Sequence, residues 1–138
     1  MLARAARFES EVAAHLVRRG FATELVDGAL QALRELRYVD DAMLARRRAE
    51  DLLLRRGCGR LRVAFELTRR GVADSVAETA IAATLESHSE SELARKALRR
   101  RFDDPSDLSA ADRARAFRFL LARGHPVEIV SAVLGARD

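Results

Sequence analysis

The stretch HLVRRGFATEL, residues 15–25, recurs twice in altered form, as ELTRRGVADSV at 66–76 and as FLLARGHPVEI at 119–129. The three copies align on Gly20, Gly71 and Gly124, which are separated by 51 and 53 residues. An arginine comes directly before each glycine, and a leucine stands four positions before it. Self-similarity of this kind indicates an internal repeat of about fifty residues.

Each copy predicts two helices joined at the glycine. The apolar residues before the glycine recur at intervals of three and four, as on one face of a helix. Glycine is expected to end that helix, because the left-handed backbone that follows many helices is cheap only for glycine. The arginine before it suits the negative end of the helix dipole. Further apolar residues at helical spacing follow at once and predict a second helix.

A third helix is expected to precede each pair. Residues 38–57 have helical periodicity, with Asp40 or Asp41 as the predicted cap. Residues 89–102 open with the capping-box spacing of Ser89 and Glu92. The first copy has only MLARAAR in this place, so its repeat is expected to be truncated at the N-terminus.

These elements predict an all-α fold of three tandem three-helix repeats within a single domain. Three short helices can pack about one small core, and successive units are expected to stack end to end into an elongated, curved array. Their approximate bounds are 1–37, 38–87 and 88–138.

Composition narrows the possible classes of function. The chain has 138 residues, with 25 basic against 21 acidic side chains and a net charge of +4. A basic balance favours acidic partners, but a charge this modest is also explained by solubility alone. Aromatic residues make up 5% and tryptophan is absent, which argues against a base-stacking platform. A single cysteine, Cys58, fits a reducing compartment. No signal peptide or membrane span is recognisable, so a cytoplasmic protein without membrane contact is expected.

The basic residues are concentrated in the middle of the chain, where nine arginines lie between residues 46 and 70. One interpretation is that they are solvated faces of amphipathic helices. The other is a surface that meets DNA phosphates or an acidic partner. The turn at 57–59 is flanked by arginines, and exposed N–H groups there would add to an anion site. The candidate binding residues are Arg46, Arg47, Arg55, Arg56, Arg60, Arg62, Arg69 and Arg70.

Catalytic and metal chemistry find no support in the sequence. The histidines, His15, His88 and His125, lie far apart, and no phosphate-binding loop of the Walker type is present. Neighbouring carboxylates such as those at 40 and 41 do not face each other on a helix, so they make a poor acid–base pair. Cys58 is open to two interpretations, a reactive thiol beside arginines or a tolerated turn residue. We expect neither enzymatic activity nor a metal or cofactor.

Residues 36–72, LRYVDDAMLARRRAEDLLLRRGCGRLRVAFELTRRGV, closely resemble the central signature of the RecX family of bacterial regulatory proteins. In that family a Tyr-aliphatic-Asp-Asp stretch opens a helix that ends in Arg-Gly-x-Gly, and the next helix closes on a glycine. Residues 118–134 resemble the family's final repeat, with His125 in place of the usual phenylalanine. The structural residues of the motif and its repeats are Tyr38, Asp40, Asp41, Gly57, Gly59, Gly20, Gly71 and Gly124.

The resemblance implies a non-enzymatic modulator of the RecA recombinase, with roles in recombination, DNA repair and the SOS response. Such a protein binds the RecA–DNA filament and restrains ATP hydrolysis, strand exchange and co-protease activity, either from the filament's groove or by blocking its growth. We expect a monomer, with Tyr38 as a partly buried anchor between repeats.

Two alternatives remain. One is a non-specific basic DNA-binding protein, since the helices after the glycines lack a row of base-reading side chains apart from Gln31. The other is a structural adaptor for a different partner.

Overall fold

The computed structural model describes the backbone of residues 2–135 and the side chains of residues 9–135. The expected all-α fold is confirmed, since this part of the chain contains helices and no strand. None of the described helices is long and apolar enough to cross a membrane. The helices are α1 (Leu2–Arg18), α2 (Thr23–Glu50), which continues into a π-helical turn (Asp51–Arg55), α3 (Arg60–Arg69), α4 (Asp74–Leu85), α5 (Glu90–Arg101), α6 (Ala110–Ala122) and α7 (Val127–Leu134).

The three glycine corners share one geometry, which explains the repeated sequence. Gly20, Gly71 and Gly124 have φ angles of 83°, 90° and 93°. At each corner the residue after the glycine donates its N–H to the carbonyl of the leucine four positions before the glycine, at 3.1–3.2 Å. The glycine N–H itself donates to the carbonyl three positions back, at 3.0 Å. This is the Schellman ending of a helix, and it makes the left-handed glycine necessary.

The longest helix differs from the expectation of a separate helix beginning near residue 38. α2 runs unbroken through that position, because Gly28 is the only glycine or proline between Thr23 and Arg56 and a single glycine costs a helix only about 1 kcal/mol. The assignment of Asp40 or Asp41 as a cap is therefore wrong, since both lie inside α2. The predicted cap at Ser89 is confirmed, because its hydroxyl oxygen accepts the backbone N–H of Glu92 at 3.3 Å. Ser109 caps α6 in the same way, accepting the N–H of Asp112 at 3.1 Å.

Tyr38 is also not the partly buried anchor that we expected. It is 62% exposed and lies at the rim of a shallow groove between α2 and α4. The residues of α2 that are buried in the core with α4 are Ala45 and Ala49, whose small side chains bring the two helices close together. The contact between these helices therefore buries methyl groups and leaves the ring at the surface.

Two apolar cores lie side by side and share one helix. The first core joins α2 and its π-helical turn to α3 and α4, and includes Leu53, Val63 and Leu67. The second joins α5, α6 and α7, and includes Leu98 and Leu120. Neighbouring residues of α5, Leu93 and Ala94, belong to the first and the second core respectively. We call α2 to α4 the second unit and α5 to α7 the third unit; the stacking of three repeats into a curved array stays a prediction.

Candidate functional site

The turn between α2 and α3 packs directly against the corner between α6 and α7. The backbone N–H of Gly59 donates to the carbonyl of Arg123 at 2.8 Å, and the N–H of Leu61 donates to the carbonyl of Gly124 at 3.0 Å. Carbonyls at the C-terminal end of α6 therefore satisfy free donors at the start of α3. The negative end of one helix dipole faces the positive end of the other. These contacts, which we call the joint, fix the third unit against the second.

Basic side chains of the third unit satisfy the carbonyls at the end of the long helix. Four consecutive carbonyls, at residues 54 to 57, lack helical partners because the helix ends there. A cation suits this position because the C-terminal end of a helix carries partial negative charge. The pairs are Lys96 Nζ to Leu54 O at 3.3 Å, Arg100 Nη1 to Arg55 O, Arg123 Nη2 to Arg56 O, and His125 Nε2 to Gly57 O at 3.0 Å.

The joint overturns the expectation of exposed N–H groups at the 57–59 turn. The N–H of Cys58 donates to the carbonyl of Leu52 at 2.9 Å, and that of Gly59 is used in the joint. All three residues of the turn are buried, and Cys58 is only 5% exposed. The backbone of this turn is therefore committed to structure, and any anion site nearby must be made by side chains.

Side chains do form such a site beside the joint. A cleft of about 390 Å³ has four arginines in its lining, three from the second unit and one from the third. Leu52, Cys58 and Glu66 complete the lining. We call this feature the arginine cleft; its arginines are Arg48, Arg56, Arg62 and Arg123.

Two carboxylates hold the arginines in and around the cleft. Asp51 pairs with three guanidinium groups, at 3.0 Å to Arg56 and at 3.7 and 3.8 Å to Arg48 and Arg55. Glu66, whose side chain is 11% exposed, pairs with two more, which belong to Arg62 at 3.6 Å and Arg69 at 3.2 Å. Each of these two carboxylates is therefore shared by at least two arginines.

The structure separates the eight arginines selected from the sequence into groups. Two line the cleft and two share its carboxylates, as described above. Arg60 instead pairs with Glu90 of the third unit at 3.1 Å and so ties the two units together. Arg46 pairs with Glu50 along α2, whereas Arg47 and Arg70 are exposed.

Sequence reasoning missed two residues of the cleft, Arg48 and Arg123. Arg48 lies in a run of three arginines, and Arg123 was explained by the helix dipole alone. The signal was helical spacing, because positions 48, 52 and 56 follow at intervals of four and share one stripe of the helix. No group of His, Cys, Asp and Glu side chains within the described residues has the arrangement of a metal site.

His125 predicts a pH dependence of stability. Burial lowers the pKa of its imidazole below the ordinary 6.5, as does Arg123, although the hydrogen bond to Gly57 and the nearby Glu90 act in the opposite direction. The folded protein therefore binds this proton less readily than the unfolded chain, and stability is full above pH 6.5 and falls as the pH is lowered through that value. Denaturant unfolding at pH 7.5 and 5.5 measures the loss.

The control variant for this effect is His125→Gln, which keeps an N–H donor for the carbonyl of Gly57 but does not titrate. Its free energy of unfolding should change less between pH 7.5 and 5.5 than that of the wild type. An equal loss in both proteins would show that other groups cause the acid sensitivity.

Comparison with known proteins gives a consistent family relationship. The family model described as "RecX, second three-helix domain" matches residues 40–81. A protein named Regulatory protein RecX from Syntrophotalea carbinolica is 34% identical over 137 residues, covering 97% of this chain and 86% of that relative. The protein of the same name from Chromohalobacter salexigens is 35% identical over 130 residues, covering 94% of this chain and 83% of the relative.

A longer relative is also similar. The Regulatory protein RecX of Geobacillus kaustophilus is 36% identical over 136 residues, which cover 96% of this chain. The same residues cover 49% of the relative, so the chain spans about half of that protein's length.

Proposed function

Since this chain belongs to the RecX family of regulatory proteins, we propose that it binds the RecA–DNA nucleoprotein filament and inhibits RecA's ATP hydrolysis, strand exchange and co-protease activity. The match to regulators named RecX along nearly the whole chain is the observation that carries the proposal. The protein acts by binding, without catalysis of its own. It does so in the cytoplasm and as a monomer.

An exposed apolar stripe on α2 supports a protein partner. Leu36, Val39 and Met43 recur at helical spacing and are 63%, 53% and 51% exposed. Tyr38 and Leu44 of the same helix are also exposed. Contiguous apolar surface of this kind, bordered by charged residues, marks protein interaction sites. A partner that offered only phosphates would gain no binding free energy from this apolar surface.

The arginines next to this stripe supply the second part of the proposed contact. Arg46 and Arg47 follow the stripe on α2, and Arg47 is exposed with no ion-pair partner among the described residues. Arg70, at the end of α3, is also exposed and has no ion-pair partner among the described residues. Such cations are available to phosphates or to an acidic protein surface, whereas Arg60 is committed to Glu90.

A second candidate function is non-specific DNA binding without RecA-directed activity. The arginine cleft favours it, because several guanidinium groups converge there beside few carboxylates. It accounts less well for the apolar stripe, since a nucleic-acid backbone is bound through charge.

The deciding experiment titrates the protein into RecA's single-strand-dependent ATP hydrolysis. Binding to the same DNA without RecA is measured in parallel at two salt concentrations. We expect inhibition at protein levels well below those that coat free DNA, because the filament offers a protein surface as well as phosphates. Inhibition that only follows DNA coating, or none at all, would leave the DNA-binding alternative.

A paired variant separates the two functions further. Leu36→Gln with Met43→Gln removes apolar surface from the stripe while keeping residues that favour helix. Inhibition should weaken by about tenfold, the cost of losing a modest interface anchor, and DNA affinity should stay unchanged. Leu121→Gln with Val127→Gln, which changes two exposed apolar residues outside the stripe, is the control and should inhibit like the wild type.

A further inference from the structure

The arginine cleft and its two shared carboxylates carry an excess of positive charge. Six guanidinium groups belong to this set, and only two carboxylates oppose them. The excess of four charges equals the formal net charge of the entire chain. Like charges held this close repel one another, so the arrangement gains stability when an anion enters it. The six residues are Arg48, Arg55, Arg56, Arg62, Arg69 and Arg123.

Several arginines in and beside the cleft have donors that make no close hydrogen bond to a carboxylate. Three of the five ion pairs, those of Arg48, Arg55 and Arg62, measure 3.6–3.8 Å, which is longer than a hydrogen bond. The Nε of Arg48 is buried and has no hydrogen-bond partner in the described part of the chain. A buried N–H without an acceptor is costly and calls for a partner.

We propose that the arginine cleft is a binding site for a phosphate group. A phosphate offers more oxygen acceptors than a carboxylate, so one group can accept bonds from several guanidinium forks at once. The cleft's volume of about 390 Å³ lies within the range of small-ligand sites. The phosphate comes either from the backbone of a nucleic acid or from a free nucleotide. The proposal deepens the DNA contact considered above and does not require inhibition of RecA, because neither ligand includes RecA.

The position of the cleft gives the ligand a structural consequence. Arg48, Arg56 and Arg62 belong to the second unit, whereas Arg123 belongs to the third and donates to the carbonyl of Arg56 across the joint. A phosphate held by guanidinium groups from both sides bridges the units. Binding should therefore stabilise their relative placement as well as neutralise charge.

The single cysteine provides a direct test of occupancy. Cys58 lines the cleft and is the only thiol in the chain. The rate at which the protein reacts with a neutral disulfide reagent therefore reports how accessible the cleft is at Cys58. The rate is measured at low salt without ligand, and then with a thymidine oligonucleotide, with ATP and with inorganic phosphate. We expect at least one of the three to slow the reaction severalfold at concentrations that saturate binding.

The test variant is Arg48→Gln with Arg62→Gln. Asp51 keeps Arg56 and Glu66 keeps Arg69, so neither carboxylate loses its nearest partner. The variant should bind the protecting ligand about tenfold more weakly, since it makes fewer charge-assisted hydrogen bonds. If the ligand is the oligonucleotide, the slope of log affinity against log salt should also fall by ~0.7 for each phosphate that the variant no longer neutralises. Arg99→Gln with Arg118→Gln makes the same change in charge outside the cleft and is the control.

The arms of the test distinguish the sources of the phosphate. Protection by the oligonucleotide identifies a backbone phosphate, and protection by ATP or inorganic phosphate alone identifies a free one. Absence of protection by all three, or equal binding by the wild type and the folded test variant, would overturn the proposal. Inhibition of RecA by the same variant is measured separately, so a failure of the cleft and a failure of the regulatory function give different results.

Discussion

Gly59→Ala and Gly124→Ala are each expected to lower the free energy of unfolding by on the order of 3–5 kcal/mol, from backbone overlap and the loss of joint hydrogen bonds. A Cβ at Gly59 would fall on the backbone N and Cα of His125, and a Cβ at Gly124 would fall on Arg62. Neither obstacle is the movable end of a side chain, so the units must separate. Denaturant unfolding followed by circular dichroism measures the loss.

The chain contains matched controls for this prediction. Gly20 has the same left-handed φ as Gly124, but a Cβ there meets nothing within 4 Å, so Gly20→Ala should cost only the conformational strain of about 1–2 kcal/mol. Gly28 lies inside α2 with open space around it, and Gly28→Ala should stabilise the helix by about 0.5–1 kcal/mol. Similar losses in the Gly59, Gly124 and Gly20 variants would contradict the close packing of the joint.

Leu120→Ala is the second change with a large expected effect. Leu120 is fully buried in the second core, and truncation of such a leucine costs about 3 kcal/mol through lost burial and the cavity that remains. α5 contributes to both cores, so the whole of the second and third units should lose stability together in one transition. Thermal and denaturant unfolding, monitored by circular dichroism, measure both the loss and the number of transitions.

The neighbouring leucine is the control. Leu121 is 40% exposed, so Leu121→Ala should lower the free energy of unfolding much less than Leu120→Ala does. Two separate transitions in the Leu120→Ala protein would show that the third unit unfolds by itself, contrary to a shared α5. That result would also contradict the conclusion that the joint fixes the third unit against the second.

The helical class and the glycine corners could be predicted from the sequence because both are local properties. A Schellman ending involves residues within six positions of each other, and the three corners repeat it with the same residue types. The hydroxyl caps at Ser89 and Ser109 are local in the same way. The prediction that a helix starts at residue 38 was wrong. The residues around this position all favour helix, so no local signal distinguishes a helix that continues from one that begins there.

The candidate site could be predicted only in part. A concentration of arginine in the middle of the chain is visible in the sequence, but the carboxylate that each guanidinium reaches is not. Arg60 and Arg62 look equivalent in the sequence, yet one ties α3 to α5 through Glu90 and the other lines the cleft. Lys96 and Arg100 look like surface charges in the sequence. In the structure their side chains donate hydrogen bonds to the carbonyls of Leu54 and Arg55 at the end of the long helix.

The amino-acid sequence was therefore sufficient for the all-α class, the three glycine corners and the family to which the chain belongs. Tertiary packing was needed to show that the backbone N–H groups of Cys58 and Gly59 are used in the fold and that a cleft lined by arginine side chains lies beside them. The difference arises from distance along the chain. The contacts that form the joint connect residues more than sixty positions apart, and their geometry depends on how two complete cores meet. No local pattern of residues encodes the packing of the two cores against each other.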